Sequence, residues 1–580
     1  MSGLRWRARL GDARTGIALA QAADIPEPVG RVLAARGVDE TTVETFLNPT
    51  IRELMPDPSR FKDMDTAAAR LADAVAREEV IGIFGDYDVD GATSGGLLQR
   101  YLAAVGGRWL SYIPDRTLEG YGPNEPALLA LKEQGAVVVV TVDCGISAFE
   151  PLAAAKQAGL DVLVVDHHVA EARLPEAFAV VNPNRLDEDG DYGELAAVGV
   201  TFLLVAALNR VLRDRGWFKE GGRAEPDLRN WLDLVALGTV CDVVPLTGLN
   251  RAFVRQGLKI MGQRTNVGIA ALGDVAGMDA APSTYHAGFV LGPRVNAGGR
   301  VGESSLGTRL LTTEDRHEAE AIAHALDGYN TERKAIEVDL LDAAIAQVEE
   351  RGGGDRPIAL AAGEGWHAGV TGIVASRLKE KFGRPAVVIA FNKGLGKASC
   401  RSIPGVDIGA AVTAARQAGL LINGGGHKMA AGFTVEASQL EPLGTFLMER
   451  LAADVEVAVA GRSYGLDGVL SVEGATHELV EMLEQAGPFG AGNAEPKFAI
   501  ANARIVRADV VGQGHVRCIL SGAAGGRLKA IAFRSVDSEL GQMLLSWGDQ
   551  PLHVAGYLRA DRWRDRDEVQ LVLGDAAEPV

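Results

Sequence analysis

The chain has 580 residues, 47% of them apolar, which leaves room for about three or four domains with sizeable cores and excludes global disorder. Its formal charge of −18 argues by itself against a polyanion partner, although a local basic groove survives if the acids are ligands or lie on a remote face. No apolar run approaches the ~18–20 residues of a membrane span, MSGLRWRARLGDARTG has no signal-peptide apolar region, and Cys144, Cys241, Cys400 and Cys518 form no C-x-x-C pair, so a disulfide scaffold and a zinc ribbon are excluded and a monomeric cytoplasmic protein is expected.

After an N-terminal segment (1–60), residues 66–78 read as a helix with apolar residues at helical spacing. Val80 to Phe84 is a short β-branched apolar run, a strand, and it runs into GDYDVDG (85–91). Asp86, Asp88 and Asp90 crowd three like charges together, which is unfavourable unless a cation or proton offsets them. An EF-hand loop opens with this spacing but needs a helix before it and a Glu at its twelfth position, where this chain has Leu97. The helical GATSGGLLQRYLAAVG follows, then the strand-like WLSYIP, which leads to Arg116. Ala136–Val142 is a strand running into Asp143, 148–158 is helical, and 160–165 is a strand running into Asp166-His167-His168. The apolar segment 231–240 leads into Cys241-Asp242. Alternating strands and helices predict a doubly wound parallel α/β domain over 61–250. The carboxyl ends of its strands would share one crevice, so distant carboxylates and imidazoles converge there. Asp88, Asp90, Asp143, His167, His168 and Asp242 are enough ligands for two divalent ions. This carboxylate-rich set suits manganese or magnesium better than zinc. Two such ions ~4 Å apart activate water and clamp a phosphoryl group. A lone D-x-D is usually a turn and a His-His pair usually packs, but several acidic clusters in one α/β unit are harder to dismiss. Cys144 and Cys241 are expected to pack as small apolar residues.

Residues 251–350 form a connector that includes a long helix over 313–350, with Ile336, Leu340, Ala344 and Val348 as its apolar stripe. RGGGDRP breaks it and opens a second α/β domain (351–460), with strands at 358–361 and 386–390 and helices near 369–380 and 408–418. The last eighty residues balance ten basic against ten acidic side chains, so the acidity lies elsewhere. Within 461–580, five short alternating strands predict a small OB-type barrel. GPRVNAGGR offers Arg294, Asn296 and Arg300 among small residues; guanidinium forks there could bind phosphate. GWHAGVTGIVASRL places His367 before a helix N-terminus that favours anions, and GLGKASCRS supplies Ser399 and Arg401. GGGHKMAAGF, with His427, is a Gly-rich loop but not a P-loop, since no G-K-[ST] ends it. Arg559, Arg562, Trp563 and Arg564 could stack on or pair with a strand, or form a solvated hairpin tip.

In this order GDYDVDGATS, PDRTLEGYG, VTVDCG, VVDHH and LGTVCDVVPL, with GPRVNAGGR, GWHAGVTGIVASRL and GGGHKMAAGF, resemble the motifs of the DHH phosphoesterase superfamily from about residue 50 onward. The resemblance implies a DHH domain, connector helix, DHH-associated domain and OB-fold. It implies a manganese- or magnesium-dependent 5′-to-3′ exonuclease acting on single-stranded DNA in repair and recombination. By motif the ligands would be Asp88, Asp90, Asp143, His167 and Asp242, with His168 a ligand or close substrate contact. Asp86 and Asp166 would orient the ligands, Asp86 also counting among the metal residues and Asp166, with Asp88, Asp143 and His168, among the catalytic ones. Arg116, Ser399 and Arg401 would form a pocket for a 5′ phosphate, and His427 would meet a phosphate near the metals. Many members of the superfamily carry a histidine where this chain has Phe84. Partners implied are single-strand-binding protein and a RecQ-type helicase. Two other readings are a hydrolase of short oligoribonucleotides or cyclic dinucleotides, against which the barrel argues, and a binding scaffold with a decayed metal site, against which the intact acidic motifs argue.

Overall fold

The β-branched runs set the architecture. In the computed structural model, which describes residues 3–116, 118–561 and 568–579, they form a five-stranded parallel sheet. Its order is Arg108–Tyr112, Val80–Gly85, Ala136–Val142, Asp161–Val165, Ala179–Val181. The chain leaves Val80–Gly85 for the edge strand Arg108–Tyr112 and returns on the other side as Ala136–Val142. The strand order therefore reverses beside Val80–Gly85, and the crevice at such a point is where α/β sheets bind ligands. All but the edge strand Arg108–Tyr112 are largely buried on both faces. Glu125–Glu133 and Phe149–Gln157 cover one face, packing Leu128, Leu131 and Leu152 on Val139, Val162 and Val164. Phe84 is fully buried there, stacked on Tyr112 at 5.4 Å between ring centroids. Val89–Val105 packs against Ala197–Asp214 and Leu232–Cys241. The apolar segment before Asp242 is thus a helix, and Asp242 is its C-cap.

Arg316–Glu350 is a single helix of 35 residues, about 52 Å long. Its expected stripe buries Leu340, Ala344 and Val348 against the second sheet, with Ile336 half-buried beside them. That sheet has five strands in the order Asn423–Gly426, Ala430–Glu436, Leu395–Arg401, Ala386–Asn392, Ala359–Glu364. Only its last pair is parallel. Ala359–Glu364 and Ala386–Asn392 match the expected strands, whereas the other three strands and the helix Leu440–Ala460 are additions to the expected elements. GGGHKMAAGF is not a loop but an antiparallel hairpin. Three glycines have almost no strand propensity, and neighbouring strands supply the ladder that makes them extended.

The C-terminal barrel runs Gly468–Leu470, Phe498–Val511, His515–Ser521, Arg527–Ala532, Glu568–Ala577, Pro551–Asp561. Pairing of Phe498–Val511 with Pro551–Asp561 closes it into an OB-fold. The chain divides into two compact units, residues 56–242 with 256–461, and residues 1–55 with 243–255 and 462–580. The N-terminal segment thus belongs with the barrel: Arg5–Ala8 pairs in parallel with Ser463–Leu466, and the Trp6 indole donates to Asp575 at 2.8 Å. No described helix is long and apolar enough to cross a membrane.

Candidate metal centre

GDYDVDG turns the end of a buried strand into a helix. Asp88 caps Val89–Val105, its Oδ1 accepting from the backbone N–H of Asp90 at 2.9 Å and of Gly91 at 3.1 Å. Asp90 is buried and accepts from the N–H groups of Ala197 (2.7 Å) and Val198 (2.9 Å) at the start of Ala197–Asp214. The glycine ending the motif is a packing requirement, since a Cβ on Gly91 would sit 2.5 Å from the Asp86 carbonyl oxygen. Asp143 follows the next strand in a left-handed conformation (φ 60°) that asparagine and aspartate tolerate best. Its backbone N–H still reaches the Val165 carbonyl at 3.0 Å.

Asp166 follows the strand after that. It is fully buried, and its oxygens accept from the N–H groups of His167 (2.7 Å), His168 (3.1 Å) and Ile146 (3.0 Å) and meet His168 Nδ1 at 2.7 Å. It is saturated and orients His168. His167 Nδ1 pairs with the Leu195 carbonyl at 3.0 Å, leaving Nε2 toward the acids. That Nε2 lies 3.4 Å from Asp143, 3.7 Å from Asp242 and 3.9 Å from Asp90.

Three overlapping sets among the described residues place their donor atoms within 4.8 Å of one another: Asp86, Asp88 and Asp143; Asp143, His167 and His168; Asp90, His167 and Asp242. Burial, and then the charge of Asp88 and, for Asp242, of Asp90, pushes Asp86 and Asp143 well above the carboxylate range, Asp90 up to about 7 and Asp242 to about 9. Burial and the neighbouring His168 lower His167 to about 4. Burial works against the charged form of His168 too, but the Asp166 hydrogen bond and nearby carboxylates outweigh it and raise it to about 9. The buried Asp86 Oδ1 and Asp242 Oδ2 have no hydrogen-bond partner. Orphaned carboxylate oxygens beside mutually repelling acids fit a divalent cation, whose charge reverses the sign of each of these interactions.

Several of the expected substrate residues gather beside these acids. The Arg116 guanidinium lies 5.0 Å over the Tyr87 ring. Arg300, on the helix Gly292–Val301, donates to the Gly369 carbonyl at 2.9 Å. Burial and then Arg116 lower Arg300 to about 10, with Arg333 and Arg401 adding to the push and Asp88 opposing it. Ser399 Oγ is 3.0 Å from Thr371 Oγ1, at the start of Thr371–Phe382, and Arg401 donates to the Cys400 carbonyl at 2.9 Å. His367 Nδ1 accepts from the Gly369 N–H at 3.1 Å. Arg294 is drawn away instead, paired with Asp327 at 2.9 Å and donating to the Val290 carbonyl. Asn296 is half-buried on the same helix, and His427 is exposed at the hairpin turn. Cys144 is buried, and Cys241 packs with its thiol on the Ala287 carbonyl at 3.4 Å. Arg559 lies 5.1 Å over the Phe533 ring, whereas Arg562, Trp563 and Arg564 fall outside the described residues.

Two residues escaped the sequence reading. Tyr121 donates to the Asp143 carbonyl at 2.9 Å and lies 3.3 Å from His168 Nδ1; its placement between two glycines in LEGYG was the available signal. Arg333, buried on the connector helix and close enough to add to the push on Arg300, is itself held by Glu337 and by Asn330 at 2.6 Å, and no local pattern marks it.

Comparison with known proteins agrees with this layout. The DHH family N-terminal domain matches residues 80–239, the DHHA1 domain 344–453 and the RecJ OB domain 466–575. The single-stranded-DNA-specific exonuclease RecJ of Salmonella typhimurium is 36% identical over 566 residues, covering 95% of this chain and 96% of that protein. RecJ of Bacillus subtilis is 33% identical, covering 99% of this chain and 71% of that one. Crystal structures of RecJ from Thermus thermophilus superpose with TM-scores of 0.80 in complex with Mn2+ and 0.74 with Mg2+. Each is 28% identical and covers 99% of this chain, with 80% and 79% of the other chain matched. The chain belongs to the RecJ family of the DHH proteins.

Proposed function

We propose that this protein is a single-stranded-DNA exonuclease that removes nucleotides from the 5′ end with the help of two manganese or magnesium ions. The observation that carries this reading is the set of acids and histidines at the strand-order reversal, two of its carboxylate oxygens without a partner, beside converging arginines. Asp86, Asp88, Asp90, Asp143, His167 and Asp242 would hold the ions, with Asp143 and His167 shared between neighbouring sets. When bound, such a pair supplies Lewis-acid charge at the phosphoryl oxygens and acidifies an attacking water.

The chain's own groups do the rest. Asp166 clamps His168 at Nδ1, so the charged imidazole has only Nε2 left for a phosphate oxygen. Tyr121 braces the turn that carries Asp143. Arg116, Arg300, Ser399 and Arg401 would seat a terminal phosphate by bidentate hydrogen bonds, which sets polarity because only a strand end delivers that group. A cytoplasmic location, and single-strand-binding protein and a RecQ-type helicase as partners, belong to the same reading and rest on family membership. A pull-down from cell extract tests the partners.

Digestion of strands labelled at either end tests the activity. With manganese or magnesium, 5′-phosphorylated single strands should shorten from the 5′ end. Asp88→Asn keeps an oxygen for the helix cap but removes the charge, so it should lose turnover without losing helix content by circular dichroism. Full activity in that variant would remove Asp88 from the site.

A further inference from the structure

The second sheet ends in an open edge. Ala359–Glu364 is its last strand and pairs on one side only, with Ala386–Asn392. In a parallel ladder, alternate residues turn their N–H and C=O groups to opposite sides. Ala359 donates to the Pro385 carbonyl at 2.8 Å, so Ala359 and Ala361 face the neighbouring strand while Leu360 and Ala362 face outward. At Ala362 the chain closes its own edge. The Gln347 side-chain amide donates to the Ala362 carbonyl at 3.0 Å, and its oxygen accepts from the Ala362 N–H at 3.1 Å. A side chain thus supplies the pairing that a further strand would make. Two residues earlier, among the described residues, nothing does so. Leu360 and Ile358 instead border a cavity of about 240 Å³. Val348 at the end of the connector helix walls it on one side, and Leu440, Gly444 and Met448 of Leu440–Ala460 on the other. Arg351 and Arg356, both exposed, stand at its rim. Arg351 faces only Glu441, 3.9 Å away with an 84% exposed side chain, a pair that water screens. Arg356 reaches the Met448 sulfur at 3.8 Å and has no carboxylate partner among the described residues.

We propose that this edge binds an extended acidic segment of a partner protein, added as a short strand beside Leu360. The Leu360 N–H and C=O give the ladder, the apolar walls take an aliphatic side chain, and the two arginines pair with a carboxylate. The segment recognised therefore alternates aliphatic and acidic residues, since successive side chains of a strand point to opposite faces. An internal stretch suffices, because the ladder is made by main-chain groups. The cavity is smaller than the roughly 300–1,000 Å³ of a drug-sized ligand site, so it admits about two residues, ~7 Å of strand. A phosphodiester is a poorer occupant, because it offers acceptors alone and leaves the outward Leu360 carbonyl unpaired. A second copy of the chain would have to bring an edge strand in between two helices.

The test uses the full-length protein and two labelled five-residue peptides, capped at both ends. One has valine at odd positions and aspartate at even ones; the other has lysine in place of aspartate. By anisotropy the acidic peptide should bind at least about tenfold more tightly than the basic one. Hydrogen exchange read by mass spectrometry should slow over residues 357–362 when it binds. Arg351→Ala/Arg356→Ala should remove the preference between the peptides. A Cβ on Gly444 would meet nothing closer than Leu360 Cδ1 at 3.8 Å, so Gly444→Leu fits the helix, fills the cavity and should abolish binding of both. All variants should keep wild-type circular dichroism and wild-type cleavage of single strands, which shows that they fold. Failure of the acidic peptide to bind overturns the proposal, as does binding that survives Gly444→Leu or leaves exchange over 357–362 unchanged. Two further results also overturn it. Loss of single-strand binding in the arginine variant would assign the rim to nucleic acid. A shift from dimer to monomer on ultracentrifugation of Gly444→Leu would assign the edge to a second copy.

Discussion

His167 and His168 are adjacent in the chain and opposite in charge state. Burial and its charged neighbour keep His167 neutral, with Nε2 as a lone pair toward the acids, whereas Asp166 holds His168 protonated. A neutral imidazole can ligate and a charged one can contact phosphate, so one dipeptide supplies both functions. Asp166→Asn should lower turnover by about 10–100-fold, the usual effect of losing a group that orients a site residue. Because the Asp166 bond raises the His168 pKa, the variant should also bring the alkaline fall in kcat to lower pH. A pH–rate profile measured at saturating metal checks both. At this scale the sequence was partly legible. Residue types and their positions after strands were visible, but Asp143 and Asp166 look alike locally. Only the count of N–H groups around each carboxylate separates a candidate ligand from a saturated brace. Arg294 and Arg300 were likewise indistinguishable until Asp327 claimed one of them.

Elements bring the acids together through close packing of helices beneath the site. Leu232–Cys241 approaches so nearly that a Cβ on Gly238 would lie 2.3 Å from Thr93 Oγ1, 2.7 Å from Val198 and 3.0 Å from Asp90 Oδ1. That glycine lets Asp242 reach the neighbourhood of Asp90. Gly238→Ala should destabilise the protein by about 2–3 kcal/mol through overpacking. It should weaken manganese binding as well, measured by urea denaturation and by metal titration. The parallel strands and the connector stripe were legible because burial imposes a period on the residues themselves. The glycine hairpin at 423–436 was not, because its extended backbone is imposed by ladders to strands elsewhere in the chain.

For the whole molecule the metal centre is a store of unfavourable charge. Asp90 at about 7 and Asp242 at about 9 both lie above the ordinary carboxylate value of 3.8. Their contribution to stability is therefore complete below about pH 4 and is lost as pH rises through about 7 and about 9. Metal-free protein should lose Tm between pH 6 and pH 9. Manganese at about a hundred times its Kd should restore roughly 3 kcal/mol at pH 8, and much less at pH 5, where protons occupy the same oxygens. Scanning calorimetry with and without chelator measures this. The unit containing the barrel is held by a different charge. Arg36, in the N-terminal segment, pairs with the buried Asp467 at 3.3 Å and donates to Asn493 at 2.7 Å. Arg36→Ala leaves the buried Asp467 with only Arg9 at 3.5 Å and the Lys497 N–H at 2.9 Å, and should cost about 2 kcal/mol, read as an earlier unfolding midpoint in urea.

The sequence by itself determined four strands and three helices of the first domain, five of the barrel strands, the chemistry of the ligand set and the order of the family motifs. Each of these is written in local periodicity or in short runs of residue types. Tertiary structure alone decided which two acids are each left with an orphaned oxygen, which arginines face the acids, how the glycine strands pair, and that residues 1–55 belong with the barrel. Those outcomes depend on distances between remote segments, because hydrogen bonds and buried charges act over a few ångströms of space whatever their separation along the chain.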